Sequence, residues 1–356
     1  MFKNQKVLVT GGAGMIGREL VNLLLDEGAE VHVADLKHPK DMLDKVTFHH
    51  VDLRDFYDCV AICEGMDYVF NLVGIKCSPR VCIEEPANIM GPMMQFNTNM
   101  LEAAMKQNVK WYLYTSTVGV YQPAEVLKED DVWDTQPSKN DWYGGWAKRM
   151  GELQCMAYQK QYGEGRCSIV RPANVYGSYD NFDLDSAMVI PSLIRKAFSN
   201  NVLEVWGDGS SIRDFIHARD VARGMLFAVK NKITEPINLG SGEEITIKRI
   251  AEAVADKADV KIAWDTTKPK GDPRRVFDMS RAKSYGFEPE ISIEDDGKGY
   301  PKDILSKIGE PYLKSNIPQD KSKTGLGLGL FIGKTLLEKN FALVNCINSK
   351  TRSGAE

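Results

Sequence analysis

The sequence lacks any long apolar run: no window approaches the length needed to cross a bilayer, and Met1-Phe2-Lys3-Asn4-Gln5 precedes the first β-branched stretch without the apolar core of a secretory leader. The expectation is a cytoplasmic protein without a membrane partner. An excess of basic charge is missing too, with 45 Lys and Arg against 49 Asp and Glu and a net charge of −4. That balance gives no reason to expect nucleic acid or an anionic surface as partner. The seven cysteines, an odd number, are scattered at positions 59, 63, 77, 82, 155, 167 and 346, and form no CxxC pair or Cys/His cluster of metal-ligand spacing. They are expected to be core thiols, and no metal is expected. With 43% apolar and 26% charged residues over 356 positions, the chain has the composition of a soluble globular protein of one large or two ordinary domains.

What is present, and early, is a glycine cluster in context. Lys6-Val7-Leu8-Val9 stops at Thr10-Gly11-Gly12-Ala13-Gly14-Met15-Ile16-Gly17, and apolar residues then recur at helical spacing through Leu25. This reads as strand, tight turn, helix. Gly11 permits the turn, Gly14 lets the backbone approach a pyrophosphate, and Gly17 lets the helix pack close to the strand, while the N–H groups around Met15 and Ile16 face the phosphates. A second strand, Glu30 to Ala34, ends in Asp35, whose carboxylate can accept from a ribose diol; the alternative is a solvated turn aspartate.

Further strands alternate with helices, which predicts a doubly wound α/β fold with a parallel sheet. Val46 to Val51 ends at Asp52 and Leu53, placed to border an adenine; Asp52 is also a candidate cap for a helix beginning at Asp55, and the two roles are not exclusive. Met66 to Gly74 ends in small residues, Val73 and Gly74, where a cofactor would cross the sheet edge. Apolar spacing predicts a helix over 97–107. Trp111-Tyr112-Leu113-Tyr114 then runs into Thr115-Ser116-Thr117, putting hydroxyls at a central carboxyl end, where they bind a substrate alcohol or form only a Ser/Thr turn. A helix opening near Tyr143 and carrying Lys148 runs to about Tyr162; a phenol near an ammonium is acidified and can serve as general base.

Together these segments resemble the extended short-chain dehydrogenase/reductase family, in its NAD-dependent sugar-nucleotide epimerase/dehydratase branch. Arg171-Pro172-Ala173-Asn174-Val175-Tyr176-Gly177, Gly207 to His217, Ile237 to Gly242 and Gly271-Asp272-Pro273-Arg274-Arg275 carry the resemblance over residues 3 to 293. It implies a Rossmann-type domain over 1–172 and 213–242, a smaller substrate domain over 173–212 and 243–293, and a homodimer through the helices near 97–107 and 143–162. It implies NAD as cofactor, favoured over NADP by Asp35, although Lys37 stands nearby. Thr117 matches the catalytic hydroxyl, Lys148 the lysine on the nicotinamide ribose, Asn174 a pocket residue, and Arg213 and Arg274 the arginines on the substrate diphosphate. The implied reaction is epimerisation, or a related oxidation or reduction, of a nucleotide-diphosphate sugar; Val118-Gly119, in place of an acidic pair, argues against a dehydratase.

Three features depart from that pattern, the first being Met93, where this branch often has an asparagine near the nicotinamide. The family spacing puts a tyrosine four residues before Lys148, and position 144 is glycine; Tyr143 is one residue early. Tyr143 substitutes from an irregular first turn, another group acts as base, or the chemistry is impaired. Beyond Ile293, Asp295-Asp296-Gly297-Lys298-Gly299 and Gly325-Leu326-Gly327-Leu328-Gly329 resemble boxes of the histidine-kinase type ATPase domain. Residues 294–356 are too few for a whole such domain. They are expected to be a fused fragment without a productive ATP site.

Overall fold

In the computed structural model, which describes residues 1–39, 42–75, 84–163, 166–184, 186–268 and 271–293, the apolar run before the glycine cluster becomes the central strand of a sheet. In β1 (Lys6–Thr10) Val7 and Val9 enter one core and Leu8 the other, because successive side chains point to opposite faces. A strand covered on both sides has no polar face, which is why it reads as an unbroken apolar stretch. Around it β2 (Glu30–Asp35), β3 (Thr47–His50), β4 (Tyr68–Asn71), β5 (Trp111–Thr115), β6 (Cys167–Pro172) and β11 (Ile237–Leu239) form a seven-stranded sheet in the order β11-β6-β5-β4-β1-β2-β3. All its pairings are parallel, as the α/β prediction requires.

Helices cover both faces. α1 (Met15–Asp26) and α6 (Ala218–Lys230) pack on the side of Val7 and Val9, while α2 (Phe56–Cys63), α3 (Pro86–Lys106) and α4 (Trp142–Tyr162) pack on the side of Leu8. α3 begins well before the predicted residue 97. Pro86 sits in its first turn, where the missing N–H has no intrahelical role, and the interior Pro92 hides the continuation from a pattern reading. α2 begins at Phe56 under the cap of Asp55, whose carboxylate accepts from the N–H groups of Tyr57 and Asp58. Asp55, and not Asp52, is therefore the capping residue.

After β6 the chain builds smaller sheets. β7 (Asn174–Tyr176) pairs with β10 (Phe215–His217), β8 (Val202–Trp206) with β13 (Lys261–Asp265), and β9 (Ile212–Arg213) lies between β12 (Ile245–Thr246) and β14 (Arg274–Arg275). α5 (Val189–Ser199), α7 (Ile247–Ala258) and α8 (Ser280–Ser284) complete the described elements. Cys59, Cys63, Cys155 and Cys167 are buried free thiols, and burial pushes the Cys59 thiol up to about 12. No described helix is long and apolar enough to cross a membrane. The chain divides into two compact units, Met1–Glu288 and Pro289–Glu356. The ATPase-like boxes, with Cys77, Cys82 and Cys346, lie outside the described residues.

Candidate cofactor and active site

The glycine turn is built as a close approach of backbone to backbone. Gly11 has a φ of +68°, and a Cβ on Gly17 would lie 2.3 Å from the Gly11 carbonyl oxygen. No other residue lets α1 start so near β1. Gly14 is the N-cap of α1 and offers no side chain to cap it. Among the described residues the N–H groups of Met15, Ile16 and Gly17 have no acceptor. A helix N-terminus left in this state suits an anion, and the residues fit the pyrophosphate of a dinucleotide.

At the ends of β2 and β3 the acidic residues are partly committed. Asp35 accepts from Ala13 N at 3.0 Å and Lys37 N at 2.8 Å, which pins the second strand's end against the glycine turn. Asp52 accepts from the Arg54 backbone N–H and guanidinium, and these hydrogen bonds hold its pKa below the ordinary carboxylate value. Leu53 is buried, its carbonyl receiving Asn99 Nδ2 at 3.1 Å.

Lys148 lies at the carboxyl edge of β4 and β5. Its ammonium is buried and donates to the carbonyls of Thr115 at 2.8 Å and Val73 at 3.3 Å, and a Cβ on Gly74 would stand 3.6 Å from Nζ. An ammonium has three donors, so one is left without an acceptor among the described residues. Burial lowers its pKa to about 8, and Glu152 acts in the opposite sense. Thr117 precedes the 3-10 turn Val118–Val120 and caps it, Oγ1 accepting from Gly119 N at 3.2 Å. A Cβ on Gly119 would stand 3.4 Å from Thr117 Cγ2 and 3.2 Å from Asp141 Cβ, so the Thr117 turn lies against the start of α4.

Tyr143 leaves α4 on a different side from Lys148. α4 is helical from Trp142, so the irregular first turn that Tyr143 would need is not there. Five residues along a helix is a rotation of about 140°, against about 40° for four. Tyr143 accordingly is 44% exposed while Lys148 is 6% exposed. Position 144 points into open space, where a Cβ meets nothing within 4 Å.

The two predicted arginines are also separated. Arg213 and Arg275 are register partners on β9 and β14, and Ile212 partners Arg274, so Arg274 faces the other side of that sheet. Arg274 is clamped by both carboxylate oxygens of Glu244 and by the Glu125 carbonyl. Arg275 pairs with Asp272 and Asp141. Arg213 is half-buried, and its one hydrogen bond among the described residues is Nη1 to the Ile212 carbonyl at 2.8 Å. Burial, and then the neighbouring Arg275, lower its pKa to about 10, so the fork stays cationic at neutral pH. Asn174 donates from Nδ2 to the Asp214 carbonyl at 2.9 Å, tying β7 to the start of β10. Strand alternation across Arg274-Arg275 is the sequence signal that only one of the two can share a face with Arg213.

The fold defines a Rossmann-type α/β protein whose chain builds smaller sheets after the sixth strand. Residues 7–240 match the family model described as the NAD dependent epimerase/dehydratase family, and the chain belongs to that family. It is 32% identical over 330 residues to a putative GDP-L-fucose synthase 2 of Arabidopsis thaliana, covering 90% of this chain and 94% of that one. It is 31% identical to the GDP-mannose 3,5-epimerase of the same plant, over 90% of this chain and 85% of the other. Among solved structures it is similar to the UDP-glucose 4-epimerase of Thermotoga maritima with UDP-glucose, at a TM-score of 0.71, 26% identity and coverage of 81% and 95%. The Thermus thermophilus UDP-glucose 4-epimerase in complex with NAD gives a TM-score of 0.70 at 25% identity, with the same coverage.

Proposed function

We propose that this chain binds NAD along the carboxyl edge of the seven-stranded sheet and acts on a nucleotide-diphosphate sugar as an epimerase or related oxidoreductase. The observation that carries the reading is the arrangement at one edge of one sheet: an uncapped glycine-turn helix start, Asp35 beside it, and a buried Lys148 with one donor open near Gly74. Bound NAD supplies the hydride acceptor and donor. Met15, Ile16 and Gly17 would hold its diphosphate, Asp35 the adenosine ribose, Leu53 the adenine face, and Lys148 the nicotinamide ribose. Asp35 favours NAD over NADP, since a carboxylate repels a 2′-phosphate. Thr117 would hydrogen-bond the reacting sugar hydroxyl, and Arg213 would hold the substrate diphosphate, its open fork suited to bidentate phosphate contacts. Residues 173–212 and 243–293 are proposed as the substrate lobe.

A second reading is favoured by a specific observation, the helical Tyr143 beside the empty position 144. In it the chain binds NAD and sugar nucleotide but turns over slowly or not at all. Calorimetric titration with NAD and NADP, followed by incubation with UDP-, GDP- and dTDP-sugars and chromatography of the products, separates the two. Turnover of any sugar supports the enzyme; NAD binding with no turnover supports the impaired form. Absence of binding to both dinucleotides sinks each of them. Exposed Met94, Leu153 and Met156 on α3 and α4 support a dimer through those helices, checked by sedimentation. For residues 294–356 we propose no ATP site, and fluorescent-ATP binding abolished by Asp295→Asn would contradict that.

A further inference from the structure

Lys148 stands one helical turn before Glu152, and Glu152 is fully buried in the same face of α4. Its carboxylate is fully committed. Arg171 of β6, itself buried, donates Nε to Oε1 at 3.0 Å and Nη2 to Oε2 at 2.6 Å. Ser116 donates its hydroxyl to Oε1 in a short hydrogen bond. Ser116 also shares a peptide group with Thr115, whose carbonyl receives Lys148 Nζ at 2.8 Å, and the N–H of that same peptide donates to the Val170 carbonyl at 2.8 Å. Nη1 of Arg171 donates to Tyr121 OH at 2.9 Å and to the Glu129 carbonyl at 2.8 Å. One carboxylate thus fixes the peptide that holds the lysine, the residue before Thr117, and a buried cation.

We infer that Glu152 is the positioning residue of this site: through Ser116 it fixes the carbonyl that aims Lys148, and by its charge it keeps Lys148 protonated in a buried place. The inference rests on the proposal that Lys148 binds the NAD ribose. A neutral amine has two hydrogens, enough for the Thr115 and Val73 carbonyls, and can meet a ribose hydroxyl only as an acceptor, without the charge that strengthens the ammonium's hydrogen bond. The other ionisable groups around it do not do this work. Tyr114 of β5, whose ring lies 5.1 Å from Nζ, and Cys155 of α4 are buried with pKa values pushed up, so both stay neutral. Arg171 is a cation and is neutralised by Glu152 itself, and α3 reaches this group through the neutral Asn97, which donates to Tyr114 OH at 3.1 Å. Glu152 is the carboxylate that supports the charged lysine, against a burial that lowers its pKa to about 8.

The test measures NAD affinity by calorimetry from pH 6 to pH 10 on the full chain. Wild-type affinity is expected to fall on an alkaline limb near pH 8. Glu152→Gln should move that limb down by a pH unit or more, leaving NAD binding at pH 7.5 about threefold weaker or worse. Ser116→Ala keeps the carboxylate charge and should weaken NAD binding severalfold with the limb unmoved. An unmoved limb in a folded Glu152→Gln overturns the inference. If Glu152→Gln does not fold, Ser116→Ala decides, and unchanged NAD affinity there overturns it. Wild-type protein without NAD affinity at any pH instead refutes the cofactor reading on which this one stands.

Discussion

Replacing Gly144 by tyrosine restores the spacing of four between a phenol and Lys148. A Cβ at 144 meets nothing within 4 Å, whereas at Gly145 it would lie 2.4 Å from the Gly119 carbonyl and 2.7 Å from Pro137 Cβ. Position 144 therefore accepts a side chain and its neighbour does not. Glycine is the poorer helix former, so the exchange is expected to stabilise α4 by a few tenths of a kcal/mol. The variant should fold with an unchanged or higher Tm. A well-placed general base contributes roughly 10²- to 10⁴-fold, or about 3 to 5 kcal/mol of barrier. Turnover of the best nucleotide sugar should then rise about a hundredfold or more in Gly144→Tyr. Gly144→Phe carries the same bulk without the hydroxyl and should show no gain. Rates are read from reduced-NAD absorbance and product chromatography at saturating NAD. Equal rates in the tyrosine and phenylalanine variants, with NAD affinity retained, refute the reasoning. So does a wild-type activity that Tyr143→Phe abolishes, since Tyr143 would then reach the reacting hydroxyl from a helix position turned away from Lys148.

Gly17→Ala puts a methyl 2.3 Å from a backbone carbonyl that cannot swing aside, and should cost about 1 to 3 kcal/mol of stability together with NAD binding, read by urea titration and calorimetry. Arg213→Leu removes the arginine whose fork is open and should raise the KM for the nucleotide sugar roughly ten- to hundredfold. Arg274→Leu, whose guanidinium already serves Glu244, should change it less than about threefold; the reverse order in steady-state kinetics contradicts the assignment. His217 caps α6 by accepting from Arg219 N at 3.2 Å, and burial lowers its pKa to about 4 from 6.5. The unfolded chain then binds a proton that the folded one does not between those values, so stability falls as pH drops from 6.5 towards 4, by up to about 3 kcal/mol. His217→Asn, which keeps a capping oxygen, should flatten that part of a stability–pH curve; an unchanged slope contradicts the role.

The amino-terminal strand, turn and helix were legible because their constraints are local. A β-branched run, glycines at the close approaches and a helical apolar period over Arg18 to Leu25 each act within a few residues, and the parallel order of the sheet follows from strands alternating with helices. Helix α3 was legible only in its second half, because Pro86 and Pro92 break the pattern without breaking the helix. Sequence spacing offered Asp52 as one candidate cap, and only the backbone geometry shows that Asp55 is the residue that accepts from Tyr57 and Asp58.

By itself the sequence determined that a dinucleotide turn exists, where it begins, and that position 144 carries no phenol, because those depend on residue identity and short-range sterics. Tertiary structure alone decided which arginine keeps open donors, which face Tyr143 takes, and that a carboxylate on α4 reaches a serine just past the end of β5 and an arginine on β6. Those outcomes depend on register between strands distant in the chain and on what burial leaves unpaired. Neither is encoded in the spacing of any single segment.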